Sequence, residues 1–450
     1  MRLRIITAGP LALLALLALL GLLVLPPAPA AAQRRGRDEA ANPALEALRA
    51  ASRANRRDAG AQSAYGLALL RAGKLAEAQR ALQGAARLDR DNASRAFDVT
   101  RVTAARGEFR PARAACRTLS RFETSPLGHV CLARAYLVWN RSARAFEELE
   151  AATAMDANDF EAQLALGDAH RIRAAVAEAE AAYQRASRAR PNSALPYLGL
   201  GLLYTAAHRN SDALTALRTA DGKSELESGS PRGAVGHPQI AYALGRVLEG
   251  TEAIAAFRTA ARGRAGWADA EIALGDALLR SGDAAAAKES YEAATRAARN
   301  SAAAYVGLGR ALTATGEHEA AMVALDRAIE IVDNHPGAVL AKAHLLEATG
   351  QNEPAFQMYR QAADLMTGNP EPLLSAAALA LRLRRDVLAV GFLDRVLMQR
   401  ANLARALELY GDAMVARRDR TSARSYYERA LHGTGPFDRS AVQQKLRGLR

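Results

Sequence analysis

The sequence predicts an all-α protein, an α-solenoid of about eleven stacked helix–turn–helix units. Three observations carry that expectation. A short phrase of small and large residues returns at a near-constant interval. Within each phrase the apolar residues fall on one face of a helix. The composition favours helix as well: half of the 450 residues are hydrophobic while aromatics are only 5%, so small and aliphatic side chains dominate. Ala, abundant here, is the best helix former. A chain of this length would ordinarily make two to four globular domains. A repeat array escapes that rule, because each unit contacts only its neighbours.

The first stretch stands outside the pattern. Residues 1–32 read as a secretory signal peptide. Arg2 and Arg4 give a positive start, residues 11–25 are an apolar run of fifteen, and Pro26, Pro27 and small residues follow to Ala32. Ala30, Ala31 and Ala32 place the cut after Ala32, with Ala30 as the alternative. No Cys lies near the cut, so a lipoprotein anchor is not supported. The run is shorter than the ~18–20 residues of a spanning helix, and an uncleaved anchor is the competing reading. The mature protein is expected in the bacterial periplasm or secreted, with no transmembrane segment. Residues 33–58 are a charged lead-in followed by a capping helix over 43–55.

The repeat is clearest at residues 160–191. Leu166 and Gly167 sit together, Ala179 follows twelve residues after the Gly, Tyr183 sixteen after, Ala186 nineteen after, and Pro191 closes the run. The Gly position recurs as Gly66, Thr100, Ala133, Gly167, Gly201, Gly245, Gly275, Gly309, Ala343, Ala377 and Gly411. Eight of the ten intervals fall within one residue of 34. Tyr197, Leu200, Gly201 and Tyr204 lie at offsets 0, 3, 4 and 7, one helix face. A turn then follows, often with Gly, as at Gly73, Gly107, Gly282, Gly316 and Gly350. The second helix carries Ala, a large residue and Ala, as in Ala78, Leu82, Ala85 and again in Ala287, Tyr291, Ala294. Neither helix buries its stripe alone, so the units must stack. This divides the chain into repeats 1–5 (59–220), an inserted loop (221–238), repeats 6–11 (239–433) and a C-terminal capping helix (434–450). The loop holds Gly, Ser and Pro, and the repeat after it is short: Gly245 reaches Ala253 in eight residues. A hinge and a passive insertion are both open readings of this break.

The period, the Leu-Gly step and the Ala-x3-large element resemble the tetratricopeptide repeat family. The resemblance covers about residues 59–433, and YLGLGLLY at 197–204 carries the family's aromatic-x2-Leu-Gly-x2-Tyr phrase. It implies a right-handed superhelix whose first helices line the concave side, with the residue after each Gly position facing inward. Charged or polar residues at that place are Arg101, Arg134, Asp168, Arg246, Asp276, Arg310, His344 and Asp412. Nearby inward positions are mostly aliphatic: Val130, Leu164, Leu198, Tyr242, Ile272, Val306 and Leu340. The expected groove has an apolar floor with charged posts, suited to an extended peptide or amphipathic helix. The posts pairing with each other, as Asp276 with Arg310, is the alternative. The Lys and Asn that clamp carboxylate tails in the family are missing from the matching positions, so that mode is not implied.

Enzyme chemistry is not expected. The eight His show neither H-E-x-x-H nor any His pair at metal-ligand spacing, and no G-x-S-x-G elbow occurs. The stretch from Gly282 to Lys288 faintly echoes a phosphate loop, but it lacks the Gly before Lys and falls in an inter-helix turn. No cofactor and no metal are implied. Cys116 and Cys131 are the only cysteines; in an oxidising compartment they pair, or they stay as two buried thiols. The net charge is +13, and residues 380–450 hold 15 Lys/Arg against 7 Asp/Glu. The expected role is a non-enzymatic scaffold that binds a protein partner and supports a cell-envelope complex. The alternative is an anionic polysaccharide or lipid held by the basic C-terminal repeats. Nucleic acid is not expected as a partner.

Overall fold

The computed structural model describes residues 43–105, 109–122, 124–138, 140–228 and 237–449. The signal peptide expected over 1–32 and the lead-in over 33–42 lie outside the described residues. A first helix α1 (Pro43–Ala54) precedes eleven helix pairs. They are α2 (Ala59–Arg71) with α3 (Leu75–Leu88), α4 (Ala93–Ala105) with α5 (Phe109–Arg117), and α6 (Leu127–Val138) with α7 (Ser142–Met155). Then come α8 (Phe160–Ile172) with α9 (Val176–Ala189), α10 (Leu195–Ala206) with α11 (Asn210–Ser228), and α12 (Pro238–Val247) with α13 (Gly250–Gly263). The stack continues with α14 (Ala268–Arg280) and α15 (Ala284–Ala297), α16 (Ala302–Ala314) and α17 (His318–Ile331), α18 (Pro336–Ala348) and α19 (Asn352–Leu365). It ends with α20 (Glu371–Arg382) and α21 (Asp386–Gln399), α22 (Ala404–Ala416) and α23 (Arg420–Leu431), and a last helix α24 (Arg439–Gly448). No strands occur among the described residues; one isolated bridge, Leu403 to Thr434, ties the entry of repeat 11 to the chain after it.

The local rules that start and stop these helices are visible. Side chains of Asp159, Asp283, Asp419 and Asp438 accept from backbone N–H groups in the first turns of α8, α15, α23 and α24, satisfying donors that have no partner within the helix. Every inter-helix turn described between the first and second helix of repeats 1, 3–5 and 7–11 contains one left-handed residue. It is Gly at 73, 282, 316 and 350, and Asn140, Ala174, His208, Arg384 and Arg418 elsewhere. Stacking thus holds one turn shape even where an L side chain resists it.

The core is a column of wedges. The large residue of each second helix is buried against the Gly position of its own first helix. A Cβ built on Gly167 would stand 2.6 Å from the Tyr183 ring, and Gly199 on the following first helix closes the ring's other side. Tyr291 is held in the same way by Gly275 and Gly307. Tyr183, Tyr291, Leu82, Leu149, Leu217, Leu325 and Leu393 are all fully buried. Leu and Phe fill the place with less bulk or without a hydroxyl, and Cys116 fills it in repeat 2.

Two departures from the sequence expectation stand out. The loop drawn over 221–238 is helical at both ends: α11 runs on through Ser228, and Pro238 already opens α12. The run Ser-Glu-Leu-Glu-Ser at 224–228 keeps helix propensity; residues 229–236 of the expected loop lie outside the described residues. The first helix of repeat 6 is short, ten residues, as its spacing requires. In repeat 2 the second helix α5 has only nine residues and passes into a 3-10 turn, Thr118–Arg121, which the sequence reading did not anticipate.

Cys116 on α5 and Cys131 on α6 form a disulfide with a Cα–Cα distance of 5.4 Å, joining repeats 2 and 3. Unfolded, unreduced mature protein should therefore show no free thiol in a titration. Reduction should lower stability by about 3 kcal/mol, the value for closing a loop of about 15 residues. Gly167→Ala should cost about 1–3 kcal/mol in chemical denaturation, because the Tyr183 ring has no free direction in which to yield; an unchanged midpoint would contradict the wedge.

Candidate functional site

First helices of successive repeats touch along most of the stack, while the second helices of neighbouring repeats stand farther apart. The first helices therefore take the inner side of the curve and the second helices the outer side. This puts the residue after each Gly position on the inner face.

Most of those residues are engaged within the protein. Arg101 pairs with Asp98 at 3.6 Å, and Arg134 with Glu161 at 2.9 Å. Asp168 accepts the Tyr183 hydroxyl at 2.8 Å and lies 3.5 Å from Arg171. Asp276 accepts the Tyr291 hydroxyl at 2.6 Å and lies 3.6 Å from Arg310 on the next first helix. His344 Nδ1 is 2.8 Å from the Tyr359 hydroxyl, which also donates to Glu347, and its Nε2 is 3.7 Å from Glu371. Asp412 accepts the Tyr427 hydroxyl at 2.7 Å and meets Lys445 of α24 at 2.7 Å. Pairing between neighbouring posts thus occurs, as at Asp276 and Arg310.

A rule joins the inner post to the wedge. Wherever the wedge is Tyr, at 183, 291, 359 and 427, the inner residue is Asp or His. Wherever it is Leu, Phe or Cys, the inner residue is aliphatic or Arg. The cause is elementary: a buried phenol needs an acceptor, which the post supplies at Tyr183, Tyr291 and Tyr427, while the Tyr359 hydroxyl donates to Glu347 beside His344. Burial and the neighbouring carboxylate push the Tyr183, Tyr291 and Tyr427 hydroxyls far above the usual phenol range. These posts are latches of the fold.

The aliphatic floor is likewise mostly consumed. Val130, Leu164, Leu198, Val306 and Leu340 are buried in the seams between first helices rather than open to a ligand. The expectation of a continuous apolar floor is corrected on this point: helices close enough to touch leave no gap for those side chains to show.

Repeats 1–4 instead carry a buried polar network. Ser63 donates to Asp98 at 2.8 Å across the first seam. Glu161 is buried, and burial alone would raise its carboxyl, but Arg134, Arg101 and Arg190 together hold it below the ordinary range. Asp98 is raised, chiefly by burial against the pull of Arg101.

Repeat 6 differs. Arg246 is exposed and has no hydrogen bond or ion pair among the described residues. Tyr242, one turn earlier, is part-exposed and stacks in an aromatic group, 4.8 Å from Trp267 and 5.7 Å from Phe257 between ring centroids. Arg264 lies 5.1 Å over the Trp267 ring. Of the nine predicted inner residues, Tyr242 and Arg246 are the two whose polar groups have no hydrogen bond or ion pair among the described residues, and Trp267 and Arg264 join them although the sequence reading did not select them.

The family model described as tetratricopeptide repeat matches residues 132–194 and 272–339, which are repeats 3–4 and 7–8. Similar solved structures include a tetratricopeptide repeat protein from Parabacteroides merdae, 14% identical, covering 57% of this chain and 98% of its own, with a TM-score of 0.47. Yeast Tom70 is 12% identical, with coverages of 87% and 95% and a TM-score of 0.45. Cut9, from the APC/C hetero-tetramer Cut9-Hcn1, is 11% identical, with coverages of 86% and 95% and a TM-score of 0.41. No curated protein matches the chain. No helix among the described residues is long and apolar enough to cross a membrane.

The Glu161 network gives a pH prediction. A carboxyl held below its ordinary value contributes stability that is complete above that value, about 4.5, and is lost as the pH falls through the lower folded value. Glu161→Gln should cost on the order of 2 kcal/mol at pH 7 and much less at pH 3, measured by urea denaturation at both pH values; equal losses would contradict the charge pairing.

Proposed function

We propose, on the premise that this chain is built of tetratricopeptide repeats, that it is a non-enzymatic scaffold of the bacterial cell envelope which holds a helix or extended segment of a protein partner against its inner face at repeats 6–8. The single observation that supports this placement is Arg246. It is a charged inner post with no partner of its own, beside an aromatic group, in a stack whose other charged posts are bonded internally. Exposed Arg next to part-buried Tyr and Trp is the composition of binding hot spots. Arg310, two repeats on, is half-exposed and its ion pair with Asp276 is loose at 3.6 Å, so it is available to an acidic partner group at little cost. The partner segment would carry an acidic residue for Arg246 and an apolar one for the ring group. The signal peptide reading of residues 1–32 places the mature protein in the periplasm or outside the cell, and the partner there.

A second reading rests on a separate observation. Arg417, Arg418, Arg420 and Arg424 are exposed around the turn and second helix of repeat 11 and form no ion pair among the described residues. They suit an anionic polysaccharide or lipid. The two readings differ in salt response: polymer binding falls steeply with ionic strength, whereas a groove anchored by aromatic burial changes little.

Arg246→Glu combined with Tyr242→Ala should abolish in vivo cross-linking to the partner while leaving helicity by circular dichroism unchanged, since neither polar group is bonded in the fold. Capture that survives both changes would remove repeat 6 as the binding centre.

A further inference from the structure

The short helix α5 leaves something behind. Every other second helix has 12 residues or more, whereas α5 has nine and gives way to the 3-10 turn. Beside it lies a cleft of about 630 Å³ between repeats 1 and 2, lined from α3, α4, α5 and the 3-10 turn. That volume is in the range of small-molecule sites, about 300–1,000 Å³.

The cleft has two chemistries. Ala96 and Val99 of α4 and Ala115 of α5 give an apolar floor. Arg87, Arg90 and Arg121 stand at its edge. Arg121 is set in place: its Nη2 donates to the Arg90 carbonyl at 2.9 Å, and its guanidinium lies 4.6 Å from the Phe122 ring centroid. Arg87 uses Nε on the Gln83 carbonyl at 3.2 Å. Among the described residues none of the three forms an ion pair with a carboxylate. The acids nearest in sequence, Asp89 and Asp91, line a separate cavity of about 500 Å³ with Asp159 and Arg190. A guanidinium carries five donors, so three of them around one mouth leave many unspent.

We propose that this cleft binds a small amphiphilic organic anion, with a single carboxylate or phosphate head held by Arg87, Arg90 and Arg121 and a short aliphatic stem laid on Ala96, Val99 and Ala115. Charge complementarity selects the head and the apolar floor selects the stem. The disulfide supports the site by tying Cys116, one residue after Ala115, to repeat 3. The cleft is independent of the inner face, so either site can fail without the other.

Isothermal titration of the mature protein with decanoate, decyl phosphate, acetate and 1-decanol tests it. Saturable binding of decanoate or decyl phosphate at one per chain is expected, with acetate and decanol at least tenfold weaker; the better of the two decyl compounds identifies the head. Arg87→Ala with Arg90→Ala, both exposed and dispensable to the core, should weaken binding at least tenfold. Ala115→Phe should block the floor with the arginines intact, its folding checked by circular dichroism. No saturable binding, acetate equal to decanoate, or an affinity unchanged in the double arginine variant would each overturn the site.

Discussion

Each second helix drives one large side chain into the seam between two first helices, and the rest of the molecule is arranged to make room for it. The seam accepts Tyr183 or Tyr291 because the facing positions are Gly on both sides. Side-chain removal at those points lets the helices come together, and the buried ring then fills the gap that closeness leaves. The spacing of small and large residues follows from that geometry, since both must return at the same height in every unit. Charged surface pairs contribute little to such a stack; the wedge and its apolar surroundings supply the cohesion.

The wedge also decides what happens on the inner face. A phenol pushed into the seam brings its hydroxyl to the inner side, where it must be satisfied. Asp168, Asp276 and Asp412 accept it, and at Tyr359 His344 and Glu347 share it. Repeat 6 places Phe257 in the seam, which makes no such demand, and Arg246 stays unbonded. A difference in the core thus appears on the surface as a free charge.

Periodicity made the number of repeats, their register and the Gly–large pairing legible from residues alone, because each is imposed by packing repeated many times. The engagement of the inner posts was also written in the chain, as a fixed fifteen-residue link between Tyr and Asp or His, but it becomes visible only when wedge and post are compared across repeats. The apolar floor was misread because periodicity says which residues face a seam without saying how tightly the seam closes. Two local events escaped for opposite reasons. The extension of α11 to Ser228 rests on weak propensity that the neighbouring Gly and Pro overshadow, and the passage of α5 into a 3-10 turn has no marker in the repeating phrase. Trp267 was overlooked because it stands at the position before α14, outside the repeating phrase.

The tyrosine latch has a bearing on how such a chain is inherited. Hydroxyl and acceptor belong to the same helix pair, so a duplicated or transplanted unit carries its latch complete. The ion pair of Asp276 with Arg310 spans two units, and any exchange of one of them separates the partners. Self-contained bonds of the first kind let an array grow or recombine by whole units without retuning its interior, while bonds of the second kind record which neighbours have stayed together.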